Sequence, residues 1–541
     1  MPIWKSLLRK KAPVPAGYPV LPSYAQAGWL SRHRKLILTA LFIVIFFYSA
    51  FFVLIGRFFL IQFVIPLAIL AGMIIWALPE REKIPDRLMC GFFVAFMVSQ
   101  LIWPNYLALS ISTLPWITAA RLFGVPMLLL FFICLSQSTK FKAHLKNVLG
   151  ASPILTRLMY ITMGIAVFSV AVSTLPGASA NQLIIAIVNW FAVFFVGVVY
   201  FSRPGNVERF VWILWFTALF WCFMGFLEWR NSQVPWAPHI PSFLKIEDET
   251  VQRVLTGSAR SATGIYRVQG KFTTSLGLAE LMALITPFII HFMLEGRTKV
   301  IRLAAGLTLP MMFWTIVVTD SRLGIVGFFL SFMFYMLIWG ARRWRRYSDS
   351  LMGPAVTLAY PVIFVGFVAA TFAIGRLRNM VWGSGAQAAS DAARQTQIEL
   401  GIQDLLVRPW GYGMGRAASA IGFTSPTGIV TIDNYFLSIA LDFGVVGFFV
   451  FYGMWLIAIF RGGRIGVEET DYTRMWMIPA VLSLTNFFVI KTVFSQQEGH
   501  SLAFAILAMV VAMIWASPHR NIPLLEFRAW RPDPAPSARL T

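Results

Sequence analysis

The chain has 541 residues, of which 58% are hydrophobic and 13% charged, with a mean hydropathy of +0.71. That charged share is about half that of a soluble protein. It leaves too little polar surface for a water-soluble globule, so the chain belongs in a bilayer. The net charge of +22 does not point to nucleic acid, because the basic residues fall in short clusters between apolar runs, as topology signals do. Cys90, Cys134 and Cys222 each lie inside an apolar run and are read as core thiols, not disulfides or metal ligands. The basic N-terminus lacks the pattern of a cleaved signal peptide.

A spanning helix needs roughly 20 mostly apolar residues. On that rule the chain holds about fourteen spans (12–14): 36–55, 58–78, 88–103, 116–136, 154–175, 182–201, 210–228, 273–294, 303–319, 323–340, 354–374, 434–460, 475–494 and 501–517. The expected fold class is an all-α polytopic membrane protein. Most Lys and Arg residues fall in alternate, short connections, which makes that side cytoplasmic and both termini inside.

The expected organisation starts with a basic cytoplasmic segment 1–35 and a transmembrane bundle 36–228. An outer loop 229–272 and membrane helices 273–374 follow. A large outer loop 375–433 then precedes C-terminal membrane helices 434–517 and a disordered cytoplasmic tail 518–541. No internal repeat suggests an inverted-repeat transporter.

Arginines gather in the two long outer loops, where topology rules do not call for them: Arg253, Arg260 and Arg267 in the first, Arg394 and Arg416 in the second. The planar guanidinium fork suits phosphate. Arginines beside a bilayer surface therefore suggest an anionic lipid headgroup, the plain alternative being solvated charge. Arg267 and Lys271 precede a span and could equally snorkel at a helix end. Glu280 lies two turns into that span, at a depth where an ionisable group faces the protein interior.

Thr319-Asp320-Ser321-Arg322 is a tight turn between spans. Asp320 or Ser321 could cap the next helix. Arg322 opposes the helix dipole there, and an anion bound at that end would resolve the conflict.

Ser390–Val407 has helical apolar spacing (Ile398, Ile402, Leu405, Leu406), which predicts an amphipathic helix on the membrane or over the site, with Arg394 on the face of Ile398. The glycines of Pro409-Trp-Gly-Tyr-Gly-Met-Gly415 permit tight turns, but no strand precedes them as a nucleotide-phosphate loop requires. Asp433 opens the next span, as an N-cap or as a general base.

Together these segments resemble the O-antigen ligase and Wzy-type polymerase family. The likeness rests on Arg267-x-x-Gly270, Ser321-Arg322-x-Gly324, Arg394, Pro409-x-Gly411-x-Gly413-x-Gly415 and Asn434-x-x-Leu437. It implies a bacterial inner-membrane enzyme with a GT-C-like architecture and an active site on two long periplasmic loops. It further implies metal-independent glycan transfer, without a cofactor, from an undecaprenyl-diphosphate-linked glycan to an acceptor hydroxyl. Arg267, Arg322, Arg394 and Arg416 would bind the diphosphate, the first two acting in catalysis.

Ligases of the family carry a His before the Asn of the last motif, where this chain has Asp433. That departure favours a polymerase of O-antigen or exopolysaccharide repeats, with Asp433 as base, over a ligase acting on lipid A or protein. Expected partners are the lipid-linked glycan, membrane lipid and a chain-length regulator, but no nucleic acid. A transporter of lipid-linked sugar is the reading from another class. Its candidates for ionisable groups at mid-membrane are Arg121, Glu280 and Lys491.

Overall fold

The computed structural model describes residues 69–520, apart from 82, 110–116, 245–250, 252–253, 256–265, 347–348, 374, 376–387, 425–429 and 470–474, together with positions 33, 36, 39, 40 and 43. Most of the expected span 36–55, the first half of 58–78, the tail beyond 520, Arg253 and Arg260 lie outside the described residues. The chain divides into two compact units, Met1–Ile84 with Phe132–Lys142, and Pro85–Phe131 with Ala143–Thr541. In the first, residues 69–77 are helical and the Arg81 N–H donates to the Gln137 carbonyl (2.9 Å). Every residue of the candidate site lies in the second.

Each span expected from residue 88 onward is a helix. In chain order the helices are α1 (Asp86–Ile102), α2 (Ala119–Gln137), α3 (Thr139–Gly150), α4 (Pro153–Ala171), α5 (Pro176–Phe201), α6 (Asn206–Asn231), α7 (Ser275–Glu295) and α8 (Lys299–Val318). They continue with α9 (Arg322–Arg346), α10 (Met352–Ala373), α11 (Ala388–Val407), α12 (Ala417–Ile421), α13 (Tyr435–Glu468), α14 (Met477–Ile490) and α15 (His500–Ala516). Among the described residues, nine helices are long and apolar enough to cross a membrane, and α14 and α15 are shorter apolar helices. The protein is thus an all-α multi-pass membrane protein. The only described sheet is a two-residue antiparallel pair, Ala108–Leu109 with Ile117–Thr118.

Burial ranks the helices. The most apolar window of α7 is 89% buried and that of α10 only 6%. A helix apolar on every face is central if protein surrounds it and peripheral if it meets lipid. Here α7 packs against α8, α9 and α14, and α15 is covered from Ser501 to Ile514. Small residues permit the close approaches: a side chain at Gly324 or Gly327 would meet the Cβ of Ala279 or Ala283 at 2.8 Å.

Contacts between helix ends fall into two sets. One set joins the basic ends: Arg203 with Asp86 (2.6 Å), Arg297 with Glu208 (3.0 Å), and Arg342 with the Glu469 carbonyl (2.9 Å). The other set joins the opposite ends of the same helices and holds the residues described next.

Candidate active site at one set of helix ends

The first part of the site is the Arg267 loop. Glu228, fully buried in the last turn of α6, accepts hydrogen bonds from the Tyr266 hydroxyl (3.0 Å) and the backbone N–H groups of Gln269 (2.8 Å) and Gly270 (2.9 Å). A carboxylate placed so deep must be satisfied by donors, and the loop supplies three. Held this way, Arg267 reaches the turn after α8, donating from Nε to the Thr319 carbonyl (3.0 Å) and from a terminal nitrogen to the Asp320 carbonyl (3.2 Å).

That turn carries Asp320 at φ 50°, in the left-handed region, and leads directly into α9 at Arg322. The buried Ser321 hydroxyl has no hydrogen-bond partner, so the expectation that it caps α9 is not met. Arg322 is half-buried at the first position of α9. A 25-residue helix that begins on an arginine beside an unused hydroxyl has its positive dipole end and a cation together.

The second part is the Gly-rich loop. Asp442, buried in α13, accepts from three consecutive N–H groups: Gly415 (2.9 Å), Arg416 (2.9 Å) and Ala417 (2.8 Å). Two residues later Gly444 (φ 74°, ψ 179°) breaks the helix. Non-helical backbone among membrane helices must find partners within the protein. The Leu441 carbonyl accepts from Tyr412 N–H (2.7 Å), the Asp442 carbonyl from Gly413 N–H (3.2 Å), and Val445 N–H donates to Pro409 (2.9 Å). Gly411 (φ 92°) lies so close that a Cβ would sit 2.7 Å from the Asp442 carbonyl oxygen. The glycines therefore let a loop plug a broken helix, and the charge of Arg416 lies in the field of Asp442.

The third part is α11, a helix as expected, though its faces differ from expectation. Arg394 shares its row with Gln397, Gly401 and Leu405, which pack inward: Gln397 is fully buried, Gly401 abuts Leu437, and Leu405 packs near Leu437 and Leu441. Ile398, Ile402 and Leu406 form the outward row (38%, 52% and 79% exposed). The exposed row is thus apolar, and the row of Arg394 and Gln397 faces the protein.

Gln397 Oε1 accepts from Asp433 N–H (2.9 Å), and Arg394 lies in the field of the Asp433 carboxylate. The cap of α13 is Asn434, whose Oδ1 accepts from Phe436 N–H (2.9 Å) and Leu437 N–H (3.2 Å). This settles the alternative left open for Asp433 against the cap. Burial pushes the Asp433 carboxyl above the ordinary carboxylate range, and Arg394 pulls it part of the way back.

A fourth segment, 491–499, of which the sequence pointed only to Lys491, joins the other parts. The Ser495 hydroxyl donates to the Ile432 carbonyl, and Tyr435 N–H donates to the Lys491 carbonyl (3.1 Å). The Thr273 and Thr274 hydroxyls donate to Gln496 Oε1 (3.2 and 3.1 Å). Lys491 forms a buried ion pair with Glu280 (2.9 Å). Burial lowers Lys271 to about 8, against the opposing pull of Glu498, whose own carboxyl burial raises and Lys271 lowers.

Arg121 is exposed in the first turn of α2, not at mid-helix. Of the three mid-membrane candidates, then, two neutralise each other and the third sits at a helix end. Glu228, Asp442 and Gln397 were missed as well. The first two did carry a signal, being carboxylates inside apolar runs.

The fold and the site define a multi-pass membrane protein with an arginine-rich polar surface assembled at one set of helix ends. Residues 307–452 match the family model described as O-antigen ligase, so over this region the chain is similar to that family. The match includes Arg322, Arg394, the Gly-rich loop, Asp433 and Asp442. No curated protein matches the chain in sequence.

Proposed function

We propose that the enzyme polymerises undecaprenyl-diphosphate-linked oligosaccharide repeats on the periplasmic face of the bacterial inner membrane. The observation that carries this reading is the division of labour at the start of α13: Asn434 caps the helix, and Asp433 is left beside Arg394. In this mechanism Asp433 takes the proton of the acceptor hydroxyl, whose oxygen attacks the anomeric carbon of the donor. The anomeric C–O bond breaks, and the diphosphate leaves with the electron pair. Arg322, at the N-terminus of α9, stabilises the developing charge with Arg267, while Arg394 contributes from α11. The unused Ser321 hydroxyl supports an anion site at that helix end.

The test uses purified protein in detergent with a synthetic polyprenyl-diphosphate oligosaccharide, the products being resolved by size. The expected result is a ladder of longer lipid-linked glycans with released polyprenyl diphosphate, unaffected by a chelator. Transfer only after lipid A or a protein acceptor is added would overturn the polymerase reading in favour of a ligase. Flux of the lipid in liposomes without any transfer would overturn the enzyme. Because Asp433 does not cap the helix, Asp433→Asn removes the base and leaves the cap intact.

A further inference from the structure

Gln397 is fully buried on the inward row of α11, one turn after Arg394. Its Oε1 accepts from Asp433 N–H at 2.9 Å. That bond fixes the amide orientation, since an N–H donor needs the oxygen and not the nitrogen. Its Nε2 is buried with no hydrogen-bond partner. Two unspent donors are a cost to stability, and a side chain serving only to pack between α11 and α13 would do better as Met or Leu. Unfavourable arrangements of this kind persist where they serve a site.

We propose that Gln397 is a positioning residue for Asp433. Its carbonyl end holds the backbone of residue 433 one position before the helix cap, and α11 thereby presents Arg394 and the base in one fixed relation. Asp433 has rotatable bonds of its own, and α13 is capped one residue later at Asn434. The Gln397 bond ties the backbone of residue 433 to the helix carrying Arg394. This inference rests on the reading of Asp433 as the base.

The test compares Gln397→Met, Gln397→Glu and Asp433→Asn in the polymer assay, with detergent Tm, kcat, KM and the pH–rate profile measured for each. Gln397→Met keeps the volume and removes the unspent donors together with the acceptor of Asp433 N–H, so the two terms oppose each other and Tm is expected to change little. Its kcat is expected to fall about tenfold at unchanged KM, because transition-state geometry and not ground-state binding is lost. Gln397→Glu keeps the acceptor but adds a negative charge, so the acidic limb of the profile moves to higher pH.

Wild-type kcat and an unshifted limb in Gln397→Met, with Asp433→Asn inactive, would overturn the positioning role alone. Activity that falls only in step with Tm would overturn it too. An active Asp433→Asn would instead overturn the base on which it rests.

Discussion

The Arg267 loop and the Gly-rich loop are held by the same device, a buried helix carboxylate that accepts backbone N–H groups, yet they put their arginines to different uses. Glu228 holds Gln269, Gly270 and the Tyr266 hydroxyl, and Arg267 then reaches across to the Thr319 and Asp320 carbonyls. Asp442 holds three successive N–H groups, and the Arg416 charge lies in its field without an ion pair to it. The first loop extends its arginine to the turn that starts α9, whereas the second spends itself on closing the gap at Gly444. The two loops thus share a kind of anchor but aim their arginines differently, and that difference can be tested.

The largest effect expected from this comparison is on transfer itself. Arg322→Ala should lower polymer formation by more than about 100-fold, a range set by loss of a preorganised charge, with membrane insertion intact. Arg267→Ala should do the same. Arg267→Lys should not rescue it, because a single ammonium cannot span two carbonyls as the fork does. Normal chain length from either Ala variant, read on a gel, would remove that arginine from the diphosphate site.

Next comes stability. Charge-assisted hydrogen bonds contribute about 1.5–3 kcal/mol each. Asp442→Ala frees three backbone donors, whereas Glu228→Ala frees two and the Tyr266 hydroxyl, which can rotate to another acceptor, so thermal melting in detergent should fall further for Asp442→Ala. The reverse order would show that the break at Gly444 is held by the carbonyl contacts of Leu441 and Asp442 alone.

A smaller effect is expected in the pH profile. The base works deprotonated, so activity should rise as pH passes upward through the Asp433 pKa. Arg394 lowers that pKa against burial. Arg394→Met should therefore move the acidic limb to higher pH by about one unit, the lower end for a nearby opposite charge. A limb that moves to lower pH, or not at all, would separate the two residues. The smallest effect should come from Arg416→Ala, with melting lowered and turnover changed by less than about threefold, since its charge lies in the field of the Asp442 anchor. A loss as large as that of Arg322→Ala would place Arg416 among the phosphate ligands and erase the contrast between the loops.

Much of the architecture was legible in the sequence. Apolar runs of spanning length become helices wherever the chain is described, because lipid leaves a backbone few other ways to satisfy its own polar groups. α11 was legible from its spacing, but its orientation was not: Ile398, Ile402 and Leu406 turn outward while Gln397 and Gly401 pack inward. The roles of Asp433 and Asn434 were not separable by sequence either, because both residue types cap helices equally well; only the backbone geometry at Tyr435 chose Asn434.

By itself, then, the sequence determined a multi-pass helical membrane protein, the approximate positions of the spanning helices from residue 88 onward, and the arginines, glycines and Asp433 as the residues to watch. These follow from local hydropathy and from steric rules that act within a few residues. Tertiary structure alone decided that Glu228 and Asp442 anchor the loops, that segment 491–499 joins them, and that Gln397 meets Asp433. Those contacts link residues 25 to 225 positions apart. Their partners are set by which helix ends come to lie side by side, and no periodicity along the chain encodes that.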